Sequence, residues 1–449
     1  GALLPPMATT KPPIVNPDDL LVRGIGQRAL TASIFNYTVG SGIFVLPAIV
    51  VANLGSAAPL AYLMCAAIMA FIVLIFAEAG SRVHATGGPY AYVEVALGPF
   101  LGLISGVLLC MSDIAAAGAV SNILGHSIAR LVGIQASLAP PLITTLIVVS
   151  LAAINIRGVR SGTRVVEIST VAKLIPLLLF VLVGAFFITP ANLVITEVPP
   201  LGEVTRTAGI LFFAFAGIEA ALQPSGEVRD SSRTVPRAAI FALGMATLLY
   251  LAVQAVALGL SGAALANDRV APIATAASTF AGRPAYTFLL IGTTVSMFGW
   301  MTGSILAGPR GVFALARDGF LPRAIARVHP IRRTPYVAIS LYAGIALVLA
   351  WSGSFEQLAI ITNLASLALY FLCAIAVWGL RRKNIRGEGE PFVIPGGPTV
   401  PILACILIAW VISQTITQRE FVGFGIALVL SVVVYLLRRP RGIDAAKAE

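Results

Sequence analysis

The chain has 449 residues, of which 58% are hydrophobic and only 11% are charged, and its mean hydropathy is +0.94. Soluble globular domains carry about 25% charged residues, so the composition excludes a soluble domain and indicates a protein that crosses a membrane several times. The formal net charge of +11 is explained by basic loops on one side of the membrane and their attraction to anionic lipids, so no nucleic-acid partner is expected.

Twelve apolar stretches are each long enough to cross a bilayer as a helix, the structure that satisfies its own backbone hydrogen bonds in lipid. They lie at 29–54, 57–83, 99–132, 138–156, 164–189, 205–224, 236–262, 285–315, 335–352, 356–380, 398–416 and 420–437. If the N-terminus is cytoplasmic, most of the 30 Arg and Lys residues fall in cytoplasmic segments. Because cytoplasmic loops carry such an excess, we expect a multi-pass protein of the plasma or inner membrane, surrounded by membrane lipids, with both termini in the cytoplasm.

The first span contains the sequence SIFNYTVGSGIFVLP, with Gly40, Ser41 and Gly42 at its middle. Glycine is worse than alanine in a helix by about 1 kcal/mol, so these residues favour an unwound segment. Close helix packing through small residues is the alternative. If the segment binds a ligand, a side chain at Gly42 is expected to remove binding; if it serves packing, the same change is expected to destabilise the protein.

Three charged residues lie in the middle of predicted spans, namely Asp113 in the third, Lys173 in the fifth and Glu219 in the sixth. Each costs about 2.5–3.5 kcal/mol on insertion scales, so charges at this depth indicate a functional site. For Lys173 the alternative is a side chain that extends to the aqueous interface.

The sixth span, GILFFAFAGIEAALQPSGEV, is a second interrupted span, with Gly217 at its centre and Pro224 near its end. Spans one and six correspond if the chain is an inverted repeat of two five-helix halves followed by two further helices. Broken helices at matching positions of such repeats indicate the midplane substrate site of a transporter. Free amides at one helix end suit a carboxylate and free carbonyls at another suit an ammonium, which predicts a site for an α-amino acid.

This repeat predicts the organisation of the whole chain. We expect a cytoplasmic tail at 1–28, whose first six residues, GALLPP, are interpreted as an expression remnant. The other predicted parts are a first five-helix repeat at 29–190, a second at 205–380, helices eleven and twelve at 398–438, and a cytoplasmic tail at 439–449.

Four motifs, in this order, resemble those of the amino acid–polyamine–organocation transporters. They are GSGIF in span one, GGPYAYVEVALGPFLG at 87–102, FAFAGIEA with GEVRDSSRTVPRA around the end of span six, and ALARDGFLPRAIARVHPIRRTP at 314–335. The resemblance covers about residues 21–438. It implies an all-α membrane protein of the LeuT-type fold, with twelve transmembrane helices, a 5+5 inverted repeat and breaks in helices one and six.

The resemblance also assigns expected roles to residues at the two breaks. Backbone amides of Gly40, Ser41 and Gly42 are expected to hold the substrate carboxylate. Carbonyls at the amine positions are expected from Thr38, Phe213 and Ala216. The ring of Phe213 is expected to cover the substrate as a gate.

Two of the buried charges gain expected roles from the same resemblance. Lys173 occupies the place where sodium-coupled relatives bind a cation, and it is expected to link span one to hydroxyls of span eight, with Thr302 and Ser304 as candidates. Transport is therefore expected to be independent of sodium. Glu219 is either a structural acid bonded to amides at the break or, as in basic-amino-acid antiporters, an acid tied to the pH response.

Asp113 departs from the family pattern, because arginine/agmatine antiporters have a small residue at that position. It is expected to pair with a cationic substrate side chain, to carry a proton, or to bond structurally to a neighbouring helix through Asn363. Cationic or small polar amino acids are slightly favoured as substrates on this basis.

Other functional classes have less support in the sequence. It contains no nucleophile–base or zinc-protease motif and no phosphate-binding loop of the GxxxxGK[ST] type. An enzyme, a cofactor, a metal site and ATP-driven transport are therefore not expected, and proton symport or exchange would supply the energy. A polyamine or amine carrier, a neutral amino acid exchanger and a non-transporting receptor of the same fold stay open, as does the choice between monomer and homodimer.

Overall fold

The computed structural model describes residues 25–83, 88–157, 162–222, 228–317, 319–332, 334–386 and 390–415, with a few single positions beyond 424, and side chains are described for all except 162–172. Within these residues the regular structure is helical, and the only β-type pairing is an isolated bridge between Ile25 and Val228. The prediction of an all-helical protein is confirmed. The predicted twelfth span and both predicted tails lie almost entirely outside the described residues.

Fourteen α-helices occur in the described part of the chain. The first seven are α1 (Gln27–Thr38), α2 (Gly42–Leu54), α3 (Ala58–Arg82), α4 (Pro89–Leu97), α5 (Pro99–Val132), α6 (Ala139–Arg157) and α7 (Gly162–Gly184). The other seven are α8 (Leu201–Phe215), α9 (Ile218–Ala221), α10 (Ser231–Ser261), α11 (Pro272–Arg317), α12 (Tyr336–Ser352), α13 (Phe355–Arg382) and α14 (Thr399–Thr415).

Helix length and apolar character confirm a multi-pass membrane protein. Among the described residues, seven helical stretches are long and apolar enough to cross a membrane. They are Gly42–Arg82, Pro99–Val132, Ala139–Arg157, Leu201–Ala221, Ser231–Asn267, Pro272–Arg317 and Phe355–Arg382. Shorter apolar helices are Lys173–Phe187, Tyr336–Ser352 and Thr399–Thr415. A total of twelve spans and the 5+5 repeat stay predictions.

The helices of the first and sixth predicted spans are both interrupted. Between α1 and α2, residues 39–41 are not helical, and between α8 and α9 the helix is broken at Ala216 and Gly217. Gly217 has a φ of 120°, which a residue with a side chain adopts at a cost. The chain therefore leaves the helical path where the sequence supplies glycine.

Two helices differ from the sequence-based expectation. α4 lies between predicted spans two and three, where only a motif was expected, and it begins with Pro89 at a position that favours proline. α11 begins at Pro272, thirteen residues before the predicted span, and continues past non-helical dihedral angles at Ala281 and Gly282. The predicted span begins at 285, directly after Gly282 and Pro284, whereas in the structure the residues before it belong to a longer helix that is kinked at Ala281 and Gly282.

The two broken helices lie inside the bundle. α1 packs against α9 and α10, α2 packs against α8, and α3 packs along the length of α10. Every residue from Gly42 to Val51 is buried, as is every residue from Thr207 to Phe215. The unwound segments are therefore held away from lipid, which is where irregular backbone is tolerated in a membrane protein.

Candidate functional site

A cavity of about 350 Å³ lies between the two helix breaks. Five parts of the fold line it: the two breaks, α5, α11 and α13. The lining residues are Tyr37, Thr38, Gly40, Ser41, Ser112, Asp113, Ala116, Val120, Phe213, Ala216, Gly217, Glu219, Ala220, Trp300, Gly303, Ser304, Ala307, Gly308 and Thr362. Four of the predicted site residues do not line the cavity, namely Gly42, Asn363, Lys173 and Thr302.

The first break presents backbone amides at the start of α2. The amide of Gly40 donates to the carbonyl oxygen of Thr38 at 2.8 Å. The amides of Ser41 and Gly42 have no hydrogen-bond partner among the described residues, as is usual in the first turn of a helix. These two amides lie at the positive end of the α2 dipole, an arrangement that can bind an anion.

The second break leaves a carbonyl without its helical partner. In a continuous helix the amide of Gly217 would donate to the carbonyl of Phe213. It donates instead to Oε2 of Glu219 at 3.0 Å. The Phe213 carbonyl, at the negative end of α8, can therefore accept a hydrogen bond from a cation in the cavity.

Tyr250 of α10 joins the two breaks, and the sequence analysis missed it. Its hydroxyl oxygen lies 2.7 Å from the carbonyl oxygen of Thr38 and 2.7 Å from that of Ala214. Its ring also contacts Phe215 edge-on, with 5.0 Å between ring centroids. A tyrosine within an apolar span gives no periodic or motif signal, so only the packing of α10 against both breaks reveals this contact.

The two glycines of the first break have different surroundings. A Cβ atom added to Gly42 would lie 2.8 Å from Cα of Ala214, which is too close for any non-bonded pair of carbons. A Cβ atom added to Gly40 would lie 3.7 Å from Cδ1 of Trp300, an ordinary contact. The packing interpretation of the first break is therefore supported at Gly42, whereas Gly40 has space on the cavity side.

Aromatic side chains form part of the cavity wall. Phe213 lines the cavity and contacts Phe355 edge-on, with 5.2 Å between ring centroids. Trp300 lines the cavity beside Gly40 of the first break. Because Phe355 is the first residue of α13, the Phe213 ring bridges the broken helix α8 and α13.

The carboxyl group of Asp113 lies on the cavity wall. Its carboxylate makes no hydrogen bond or ion pair with the residues that the structure describes, and its backbone carbonyl accepts from the Tyr342 hydroxyl at 3.1 Å. The expected bond to Asn363 is not formed. Both amide hydrogens of Asn363 are directed to α8, where Nδ2 donates to the carbonyls of Gly209 at 2.9 Å and Ile210 at 3.0 Å.

Glu219 makes the hydrogen bonds expected of a structural acid at the break. Besides the amide of Gly217, its Oε2 atom accepts from the hydroxyl of Tyr370 at 2.8 Å. The side chain is buried among α8, α9 and α13. Glu219 therefore connects the second break to α13, and its role in a pH response stays a prediction.

Lys173 contacts the first broken helix. Its side chain is only 5% exposed, and Nζ donates to the carbonyl oxygen of Asn36 at 2.6 Å, so it does not extend to the interface. It makes no bond to the two expected hydroxyls. Thr302 donates within its own helix to the carbonyl of Phe298, and Ser304 pairs with Tyr342 at 2.8 Å.

Comparison with known proteins supports one family. The family model described as amino acid permease matches residues 25–437. The branched-chain amino acid permease of Bacillus subtilis is 26% identical over 93% of this chain and 93% of its own length. The methylthioribose transporter of that organism is 29% identical over 93% of both chains. Its serine/threonine exchanger is 29% identical over 92% of this chain and 96% of its own length.

Proposed function

Because the chain belongs to the amino acid permease family, we propose that it is a sodium-independent secondary transporter that carries amino acids by alternating access. Members of this family are transporters rather than enzymes. The observation that carries the proposal is the cavity between two helix breaks, with two amides at one break and a carbonyl at the other that have no partner in the described part of the chain.

The substrate binds through its α-carboxylate and α-ammonium groups. The amides of Ser41 and Gly42 hold the carboxylate, and the carbonyls of Thr38, Phe213 and Ala216 accept from the ammonium. The amide of Gly40, which donates to Thr38 in this structure, would join them only by exchanging that partner. Backbone groups of this kind recognise what all α-amino acids share. They leave the choice among amino acids to side chains elsewhere in the cavity.

Lys173 replaces a bound sodium ion. Its ammonium group lies against the backbone of α1, so a second cation at that position would be repelled. Thr302 and Ser304, which in this structure bond elsewhere, would reach Lys173 only after a rearrangement of α11. The carrier would then run on a proton gradient or by exchange of one substrate for another.

Cationic or small polar amino acids are the favoured substrates. The supporting observation is the partly buried carboxylate of Asp113 on the cavity wall, which has no partner among the described residues. Removing a carboxylate from water without pairing it with a cation is costly. Glu219 adds a second acidic group, although hydrogen bonds already occupy its Oε2 atom. Apolar neutral amino acids are the second candidate, since one relative is named for branched-chain amino acids. The relative named for serine and threonine agrees with a small polar substrate.

The proposed topology has twelve spans in two inverted five-helix repeats followed by two further helices. Both termini lie in the cytoplasm, as do the end of α3 with Arg82 and the end of α13 with Arg381 and Arg382. The protein resides in the plasma or inner membrane as a monomer or homodimer. The interruption of α1–α2 and of α8–α9 at corresponding places supports this arrangement.

Uptake into proteoliposomes tests the proposal. A panel of radiolabelled cationic, small polar, branched-chain and amine compounds is measured with sodium or choline outside, with and without a pH gradient, and with preloaded amino acid. Uptake of at least one amino acid in choline is expected. Binding of an amino acid without any uptake would identify a receptor, and uptake confined to polyamines would contradict the proposed substrate class.

A further inference from the structure

A buried ion cluster joins the end of α3 to the end of α13. The carboxylate of Glu78 accepts from Nε of Arg82 at 3.0 Å, from Nε and Nη2 of Arg381 at 2.7 and 2.6 Å, and from the amide of Ile394 at 3.0 Å. We name these four residues the inner joint. One carboxylate thus holds two arginines and the chain that follows α13.

The residues around the inner joint extend this connection. Arg82 donates to the carbonyl of Ile385 at 3.1 Å, and Arg381 donates to that of Gly397 at 2.7 Å. The amide of Phe392 donates to the hydroxyl of Ser81 at 3.0 Å. The segment between α13 and α14 is therefore attached to α3 at several points, through both charged and neutral groups.

The opposite face has two ion pairs, which we name the outer pairs. Arg130 at the end of α5 contacts Asp268 at 2.7 Å, and Arg269 contacts Glu356 at the start of α13 at 3.1 Å. Asp268 and Arg269 are neighbours in the segment between α10 and α11. The outer pairs therefore connect this segment to two helices that line the cavity.

The two sets of charges differ in their exposure to solvent. In the inner joint the exposed fractions are 0% for Glu78, 7% for Arg82 and 19% for Arg381. In the outer pairs they are 37% and 16% for Arg130 and Asp268, and 57% and 35% for Arg269 and Glu356.

The contrast is sharpest between Glu78, which is fully buried, and the Arg269–Glu356 pair, because Asp268 of the other outer pair is only 16% exposed and also accepts from Thr275. This contrast determines how easily each contact can separate. Separating a buried ion pair leaves each charge uncompensated in the low-dielectric interior of the protein, which is strongly unfavourable. An exposed ion pair exchanges its partner for water and salt at little cost. A contact that must break in every transport cycle requires the second kind of pair.

We propose that the inner joint stays closed throughout the transport cycle, while the exposed outer pair of Arg269 and Glu356 breaks and re-forms. The inference rests on the proposed alternating-access function. Because α3 and α13 belong to different halves of the proposed repeat, a permanent joint limits their relative movement to rotation about that point. The segment carrying Asp268 and Arg269 is then the part that moves away from the start of α13 when the cavity opens to the outside.

Paired cysteine variants test this inference in the full-length carrier. Ser81→Cys with Phe392→Cys places two thiols beside the inner joint, and Arg269→Cys with Glu356→Cys places two thiols at an outer pair. Both variants are treated with a short bifunctional methanethiosulfonate reagent in proteoliposomes, and uptake is measured before and after. Each single-cysteine variant and the unmutated chain, treated identically, control for reaction at native cysteines.

Uptake is expected to persist after cross-linking at the inner joint and to be lost after cross-linking at the outer pair, with recovery on reduction. Loss of uptake on inner cross-linking, or unchanged uptake on outer cross-linking, would overturn the inference. Absence of uptake by the unmutated chain would instead contradict the proposed function.

A second measurement does not depend on the activity of a double variant. Ile394 is 1% exposed, so Ile394→Cys reports directly on opening of the inner joint. Its labelling by a membrane-impermeant maleimide in inside-out vesicles is expected to be slow and equal with and without substrate. Faster labelling in the presence of transported substrate would show that the joint opens, and the proposal would be wrong.

Discussion

Two glycines that are two residues apart should respond to the same substitution in opposite ways. In Gly42→Ala the new methyl group would lie 2.8 and 2.9 Å from Cα and Cβ of Ala214. Neither atom can rotate away, because both belong to or adjoin the backbone of α8. In Gly40→Ala the methyl group meets the indole of Trp300 at 3.7 Å and the carbonyl oxygen of Thr38 at 3.9 Å, both of which are ordinary contacts.

The expected magnitudes follow from these distances. Overpacking of a dense interior costs about 1–3 kcal/mol, so Gly42→Ala should lower the stability of the protein by that amount. Gly40→Ala should leave stability unchanged and displace the substrate carboxylate from the amides. The loss of a hydrogen bond to a charged group is worth about 1.5–3 kcal/mol, which corresponds to weaker substrate binding by roughly one to two powers of ten.

Thermal unfolding of purified protein, with and without a transported amino acid, separates the two effects. Gly42→Ala should unfold at a lower temperature in the absence of substrate. Gly40→Ala should unfold at the wild-type temperature but lose the stabilisation that substrate provides. Gly244→Ala, where a Cβ meets no atom within 4 Å, is the matched control. Wild-type stability of Gly42→Ala, or full substrate stabilisation of Gly40→Ala, would refute this reasoning.

Three further substitutions test the proposed site. Lys173→Ala should abolish uptake, although size-exclusion chromatography should show that the protein stays folded. Uptake by the wild-type protein should continue when sodium is replaced by choline. Normal uptake by the variant would contradict the proposal that Lys173 replaces a bound cation. Asp113→Asn should weaken the competition of basic amino acids by about 1.5–3 kcal/mol and spare neutral ones, whereas an equal effect on all substrates with loss of pH dependence would assign proton transfer to this acid. Tyr250→Phe removes a buried donor that the carbonyls of Thr38 and Ala214 share, and it should lower thermal stability by about 1–3 kcal/mol. Tyr62→Phe removes a buried hydroxyl that has no partner among the described residues, so it should be close to neutral, and equal effects of the two tyrosine variants would exclude a special role for Tyr250.

The helix breaks could be predicted from the sequence because their signal is local. Gly40, Ser41 and Gly42 interrupt an apolar run, and Gly217 interrupts another. The helix α4 has nine residues, which are too few to cross a bilayer. A search of the sequence for membrane spans therefore does not detect it. The early start of α11 was missed for a different reason. Glycine and proline at 282 and 284 are typical of a helix boundary, but in the structure the helical residues on both sides of the kink belong to one long helix.

The side-chain contacts of the candidate site were less predictable, because they depend on the rotation of each helix about its axis. Thr302 and Ser304 are two residues apart, and only Ser304 faces the cavity. Asn363 lies beside the cavity-lining Thr362 but is directed to α8. An apolar span that is hydrophobic on all sides gives little periodic signal, so the sequence cannot determine which face of it is turned inward.

A tyrosine hydroxyl carries a single hydrogen atom, yet the hydroxyl of Tyr250 lies equally close to the carbonyls of Thr38 and Ala214. When the hydroxyl turns to Thr38, the Ala214 carbonyl loses this donor, whereas Thr38 accepts from the amide of Gly40 in either case. An ammonium group that donates to Thr38 ends this competition, because the hydroxyl hydrogen can then remain on Ala214. We therefore expect that substrate bound at one broken helix favours the hydrogen bond of Tyr250 to the other broken helix.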